Sequence, residues 1–116
     1  MELSPAMARR IIAEAVTHKV LVITVTELEQ KELKRQFIEH VKKMRIWEFA
    51  DRRNFLYHVH IKGIEPICIM DYGTWEKESK QVFSGIVFTT SRCLPDKLQN
   101  INVEPIVLRD IMEGQK

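Results

Sequence analysis

Residues Phe55–Ser91 read FLYHVHIKGIEPICIMDYGTWEKESKQVFSGIVFTTS, and their pattern decides the fold. Phe55, Tyr57, Val59 and Ile61 alternate with Leu56, His58 and His60, which is the period of a strand. Lys62-Gly63 reads as a tight hairpin turn, because glycine accepts the positive φ such turns require. Pairing across that turn sets His60 opposite Glu65, His58 opposite Ile67 and Leu56 opposite Ile69. Cys68, Met70 and Tyr72 then join the apolar face of Phe55, Tyr57, Val59 and Ile61, and the other face is mixed. Pro66 has no N–H for the ladder and marks an edge or a bulge. Thr74 is placed to cap a helix over 75–83 with Trp75, Val82 and Phe83 inward. Gly85 ends that helix, and Ile86–Thr90 is a buried strand.

Working outward, Ser4-Pro5 is a helix start, and Met7, Ile11, Ile12, Ala15 and Val16 recur at helical spacing over 5–18. Lys19–Val25 is rich in β-branched residues and reads as a buried strand, with a continuation of the first helix as the alternative. Thr26-Glu-Leu-Glu29 is a capping box. It opens a helix to about Met44, with Leu28, Leu33, Phe37, Val41 and Met44 inward and Lys31, Lys34, Arg35, Lys42 and Lys43 outward. Ile46–Ala50 is a short strand and Asp51–Asn54 its turn. On the far side, Pro95–Ile101 reads as a short helix, Val103–Leu108 as a last strand and Asp110–Met112 as a terminal turn. The expected fold class is therefore α/β: a mixed sheet flanked by helices in one domain, with a core that includes Phe37, Val41, Phe55, Tyr57, Val59, Cys68, Met70, Ile86 and Phe88.

Composition narrows the class of protein. Hydrophobic residues are 45% of the chain and charged residues 29%, as in a folded domain and unlike a disordered one. The net charge of +2 is too small to imply nucleic-acid binding on its own. No apolar run is long enough to span a bilayer, and the N-terminal residues lack a signal-peptide centre. No membrane partner and a cytoplasmic location are expected.

Few residues are spaced for chemistry. Cys68 and Cys93 form no metal-ligand spacing and read as buried thiols. His58 and His60 share one side of a strand, and Asp71 or Glu65 is placed to join them. They lack a clear third and fourth ligand, so no metal is expected. Ser91 sits in no nucleophile elbow, and Gly63, Gly73, Gly85 and Gly114 are too scattered for a phosphate loop. Arg45, Arg52, Arg53, Lys62 and Arg92 fall at strand ends or turns near Trp47 and Tyr72, a pattern that suits a phosphate backbone.

From Leu28 to Met112 the element order is αβββαβαβ. The tail runs Gly85-Ile-Val-Phe-Thr-Thr-Ser-Arg92, a short helix, then Val103-Glu-Pro-Ile-Val-Leu-Arg-Asp-Ile-Met112. Together these resemble the restriction-endonuclease-like core of Mrr-type domains, with an extra helix and strand before it. That family places an aspartate first, then a carboxylate or glutamine two residues before a lysine on the next strand. The carboxylates hold Mg²⁺, which activates water. The resemblance sets Asp51 and Glu65 at those positions but Ile67 at the lysine's. The alternative register, Cys68-Ile-Met70, is worse, and Lys62 is left to supply the charge from the turn. It thus implies a catalytically degenerate nuclease fold that binds nucleic acid through phosphates.

Three other readings compete. One is a Mg²⁺-dependent nuclease with an atypical site built on Asp51, Glu65 and Lys62. Another is an interaction module, a homodimer or part of a larger complex, for which the apolar stripe of the first helix speaks. The last is a doubly wound nucleotide-binding domain starting at Lys19–Val25, which lacks the glycine loop.

Overall fold

The structure is a computed structural model and describes residues 1–50 and 56–111 of the 116. It is a mixed α/β fold. In chain order the elements are α1 (Pro5–Ala15), β1 (Val20–Thr24), α2 (Glu27–Met44), β2 (His58–Val59), β3 (Ile67–Asp71), α3 (Tyr72–Glu78), β4 (Ile86–Thr89) and β5 (Ile106–Val107). Short 3-10 turns cover Pro95–Lys97 and Leu108–Asp110. Among the described residues, no helix is long and apolar enough to cross a membrane.

The sheet has five strands in the order β2-β3-β1-β4-β5. β1 is parallel to β3 and β4, β4 is parallel to β5, and only β2 is antiparallel. All five residues of β1 are buried, which is why they read as an unbroken apolar run. This strand was expected as an addition before the core; it is the centre of the sheet. The chain leaves β1 through α2 to reach β3 on one side. It returns through α3 to β4 on the other. The two crossovers cover opposite faces, which defines a doubly wound sheet.

Both long helices start where the sequence signals them. Ser4 Oγ accepts from the Met7 N–H at 3.2 Å, and Thr26 Oγ1 accepts from the Glu29 N–H at 3.1 Å. α1 and α2 lie on the same face, where Ile11, Leu33, Phe37 and Val41 pack on Val22, Ile67, Ile69 and Phe88. α2 departs from its expected stripe at one end. Leu28 is 79% exposed, whereas Gln30 is 1% exposed. Gln30 Nε2 donates to the Ile69 carbonyl at 2.8 Å and to that of Leu56 at 3.2 Å, so its amide is buried with partners. α1 stops at Ala15 rather than residue 18, and Val16 is half exposed.

The Lys62-Gly63 turn is present, with Gly63 at φ +86°. The pairing it was expected to impose is not. His58 faces Cys68 and Val59 faces Ile67, a shift of one residue. Residues beyond Val59 pair elsewhere: Ala50 N–H donates to the His60 carbonyl, Lys62 N–H to that of Glu48, and Glu65 N–H to that of Ala15. The expected strand over Ile46–Ala50 is reduced to a bridge from Phe49 to Ile61. With the loop drawn outward and Pro66 unable to donate, the turn no longer sets the register. A one-residue slip exchanges faces. Val59 packs with Ile67 and Ile69 under the helices, while Cys68 and Met70 point to the second layer.

α3 also starts earlier than expected. Asp71 caps it, its carboxylate accepting from the Thr74 N–H at 3.0 Å, and the helix ends at Glu78. The aspartate offers a better cap three residues before Thr74. Trp75 is buried, Phe83 is half-buried, and Val82 is 55% exposed. Gly85 ends no helix; a methyl there would overlap the Lys19 carbonyl, the acceptor for Ile86 N–H at 2.9 Å. The helix expected at Pro95–Ile101 is a 3-10 turn over Pro95–Lys97, and the last strand is only Ile106–Val107, just after Pro105. Leu108–Asp110 form a 3-10 turn, and the terminal turn expected at Asp110–Met112 runs into Met112, which lies outside the described residues. Of the expected core, Phe37, Val41, Val59, Met70 and Phe88 are buried, and Tyr57, Cys68 and Ile86 are half-buried. Phe55 and the turn Asp51–Asn54 lie outside the described residues.

Candidate binding groove

The second face of the sheet is covered thinly. Leu21, Ile23, Met70 and Val87 meet α3, the 3-10 turn at Pro95 and the loops around them. α3 brings Tyr72, which is partly buried, and Trp75, and the next six residues, Glu76–Gln81, are all polar. The layer therefore leaves part of the sheet open. A cavity of about 280 Å³ lies there, floored by Leu21, Cys68 and Met70 and walled by Trp75 and Phe83. A second, of about 250 Å³, continues past His58 and Cys68 toward Lys19 and Glu65. Trp75 and Phe83 meet edge to face, their ring centroids 6.3 Å apart.

The polar atoms of this groove differ in what they have left to offer. Trp75 Nε1 donates to the Gln99 carbonyl at 3.0 Å, and Ser79 Oγ accepts from Asn100 Nδ2 at 3.3 Å. His58 makes no hydrogen bond among the described residues. Burial, with His60 and Lys34 nearby, holds its pKa below the usual histidine value, so the ring is neutral at pH 7. Burial, and then the Glu78 charge, pushes the Cys68 thiol up to about 11. Such a thiol is a poor nucleophile at neutral pH. The His58 and His60 rings stand 5.9 Å apart, and no group of three potential metal ligands occurs among the described residues.

In doubly wound sheets ligands settle outside the carboxyl ends of the strands, where the winding reverses. Here that place lies between β1 and β4, and the chain fills it. Glu29 Oε1 accepts from the Val25 N–H at 3.0 Å and from Thr90 Oγ1 at 2.6 Å. Burial raises the Glu29 carboxyl, but those bonds and the nearby N-terminal ammonium outweigh it and hold it below the usual carboxylate range. Thr24 and Thr89 turn their hydroxyls to the carbonyls of Thr26 and Ser91. A phosphate approaching the start of α2 thus meets the carboxylates of Glu27 and Glu29 in its first turn. Nearby, Asp71 Oδ1 is buried without a hydrogen-bond partner among the described residues.

The residues singled out from the sequence fall in several places. Asp51, Arg52 and Arg53 lie outside the described residues. Glu65 precedes β3 and borders the second cavity. Lys62 Nζ pairs with Glu48 at 3.3 Å. Arg45 follows α2 in a left-handed conformation, φ 60°, at the end of the sheet where β3 begins. Arg92 follows β4 at the opposite end and pairs with Asp110. The described basic candidates thus divide between two ends. Trp75 and Phe83 were expected to face inward and Cys68 to be core; Trp75 is buried, and all three also line the groove, for which the sequence signal is the polar run Glu76–Gln81.

No family model, no curated protein and no solved structure matches this chain.

Proposed function

We propose that this chain is a small non-catalytic binding module that takes an apolar group into the groove beside Trp75 and Phe83. The two adjoining cavities on the open part of the sheet carry the reading. Concave, mainly apolar sites with few polar groups are where small ligands bind. The Cys68 thiol, at a pKa of about 11, speaks for binding rather than nucleophilic chemistry. Methyl NMR tests it with toluene as the probe. The Leu21 and Met70 methyls should shift saturably, and the Leu33 and Val41 methyls on the other face should not. No saturable shift up to the solubility limit overturns the reading.

Phosphate binding through Arg45, Arg52, Arg53, Lys62 and Arg92 is the second reading, favoured by the placement of Arg45 and Lys62 at one end of the sheet. Lys62 and Arg92 each hold a carboxylate, so a phosphate must displace it. Binding to duplex DNA should then be weak, indifferent to sequence and steeply reduced by salt. Cleavage with Mg²⁺ that Asp51→Ala abolishes favours a nuclease instead. Absence of any binding at low salt removes this reading.

A further inference from the structure

The groove is mainly apolar, and His58 is an uncharged polar side chain in it that stays uncommitted among the described residues. His58 sits directly across the β2–β3 pair from Cys68, and both border the two cavities. Of the other polar groups of the larger cavity, Glu78 is a solvent-exposed carboxylate at its border. Trp75 Nε1 donates to the Gln99 carbonyl, and Ser79 Oγ accepts from Asn100, which leaves Ser79 a donor but occupies it as an acceptor. The Cys68 thiol keeps its proton at neutral pH and is at best a weak donor. His58 has no hydrogen-bond partner among the described residues, and its neutral ring offers one donor and one acceptor.

Size and charge restrict what fits. A cavity of about 280 Å³ is near the small end for ligand sites and suits one or two rings rather than a nucleotide. The walls are flat: Trp75 and Phe83 in edge-to-face contact over a floor of Leu21 and Met70. Glu78 borders this cavity and Glu65 the next, and the Glu78 charge reaches Cys68 strongly enough to raise its pKa. An anion is therefore opposed in the larger cavity; Lys19 borders only the smaller one.

We infer that the groove selects an uncharged single- or double-ring ligand bearing a hydroxyl or N–H group that bonds to His58. The inference rests on the binding-module reading and names what that module takes. A hydrogen bond of this kind should favour such a ring about three- to tenfold over an equal-sized hydrocarbon.

The test compares three probes by NMR titration of the full chain: phenol, toluene and benzoate. Phenol should bind about three- to tenfold more tightly than toluene. Benzoate should be the weakest of the three. Phenol should also shift the His58 ring nitrogens, and toluene should not. In His58→Leu the phenol advantage should vanish while toluene still binds. Should that variant fail to fold, Phe83→Ala gives the second check, since it should weaken phenol and toluene alike. If toluene binds as tightly as phenol, or benzoate matches phenol, the His58 inference fails and the binding-module reading stands. If none of the three binds saturably, both fail.

Discussion

Gln30→Met removes a donor that joins three parts of the fold. The Gln30 amide is buried in the second turn of α2 and bonds the Ile69 carbonyl at 2.8 Å and the Leu56 carbonyl at 3.2 Å. The Ile69 N–H donates to the Tyr57 carbonyl, on the side of the sheet where β2 ends. A strand residue's N–H and C=O point the same way, so Gln30 satisfies a carbonyl that a longer β2 would have paired. Methionine keeps the length and loses the donor. The Leu56 carbonyl retains Lys34 Nζ at 3.3 Å. One buried carbonyl is therefore stranded rather than two, at a cost of about 1–3 kcal/mol. Burying a thioether where an amide sat offsets part of this, leaving about 1–2 kcal/mol. With a urea m-value of about 1–3 kcal/mol per molar, the midpoint should fall by roughly 0.5–1 M with the slope unchanged. Lys34→Met should cost less than about 0.5 kcal/mol alone. The double variant should cost more than the sum, since both donors that the described residues give the Leu56 carbonyl are then gone. An unmoved midpoint in Gln30→Met, or additive effects, refutes the account.

Other substitutions and conditions probe separate parts of the fold. Gly85→Ala drives a methyl against the Lys19 carbonyl and forces β1 and β4 apart, so it should cost about 1–3 kcal/mol or more. Gly63→Ala, with nothing near the added methyl but a left-handed backbone, should cost roughly 1 kcal/mol; urea midpoints compare the two. The raised Cys68 pKa means the folded state holds the proton longer. Stability should fall as pH rises from about 9 toward 11. Cys68→Ala should remove that alkaline slope. A thiol reagent at neutral pH should label exposed Cys93 in the folded protein and Cys68 only on unfolding. His58 has a lowered pKa, so the unfolded state binds its proton first on acidification. Stability should decline as pH falls below about 6.5, and His58→Leu should flatten that decline in an acid titration.

Local signals were legible wherever they depended on neighbours in sequence. Thr26 and Glu29 mark the start of α2, and the run Val20–Thr24 announces a strand buried on both faces. Legibility ended where distant partners decide. The pairing of His58 with Cys68 depends on residues 48–50 and Ala15 drawing the loop away from a tight hairpin, and no short-range pattern carries that. Likewise, nothing near Leu28 and Gln30 reveals that the amide faces the sheet, since its partners are 26 and 39 residues away. The groove was hidden for a related reason. Trp75 and Phe83 look like core in sequence, and Trp75 is indeed buried; that both also border a cavity follows from how little α3 covers.

The sheet tapers. Its central strands are four or five residues long, and both outer strands, β2 and β5, have two. Strand-by-strand growth into fibrils or swapped dimers needs a row of free amides at an edge, and an edge of two residues offers a short template. Pro66 lies in the loop before β3, and Pro105 precedes β5 directly, each removing one more amide from recruitment. A molecule built this way should offer copies of itself little edge to pair with, because β1, buried along its whole length, lies third from either edge.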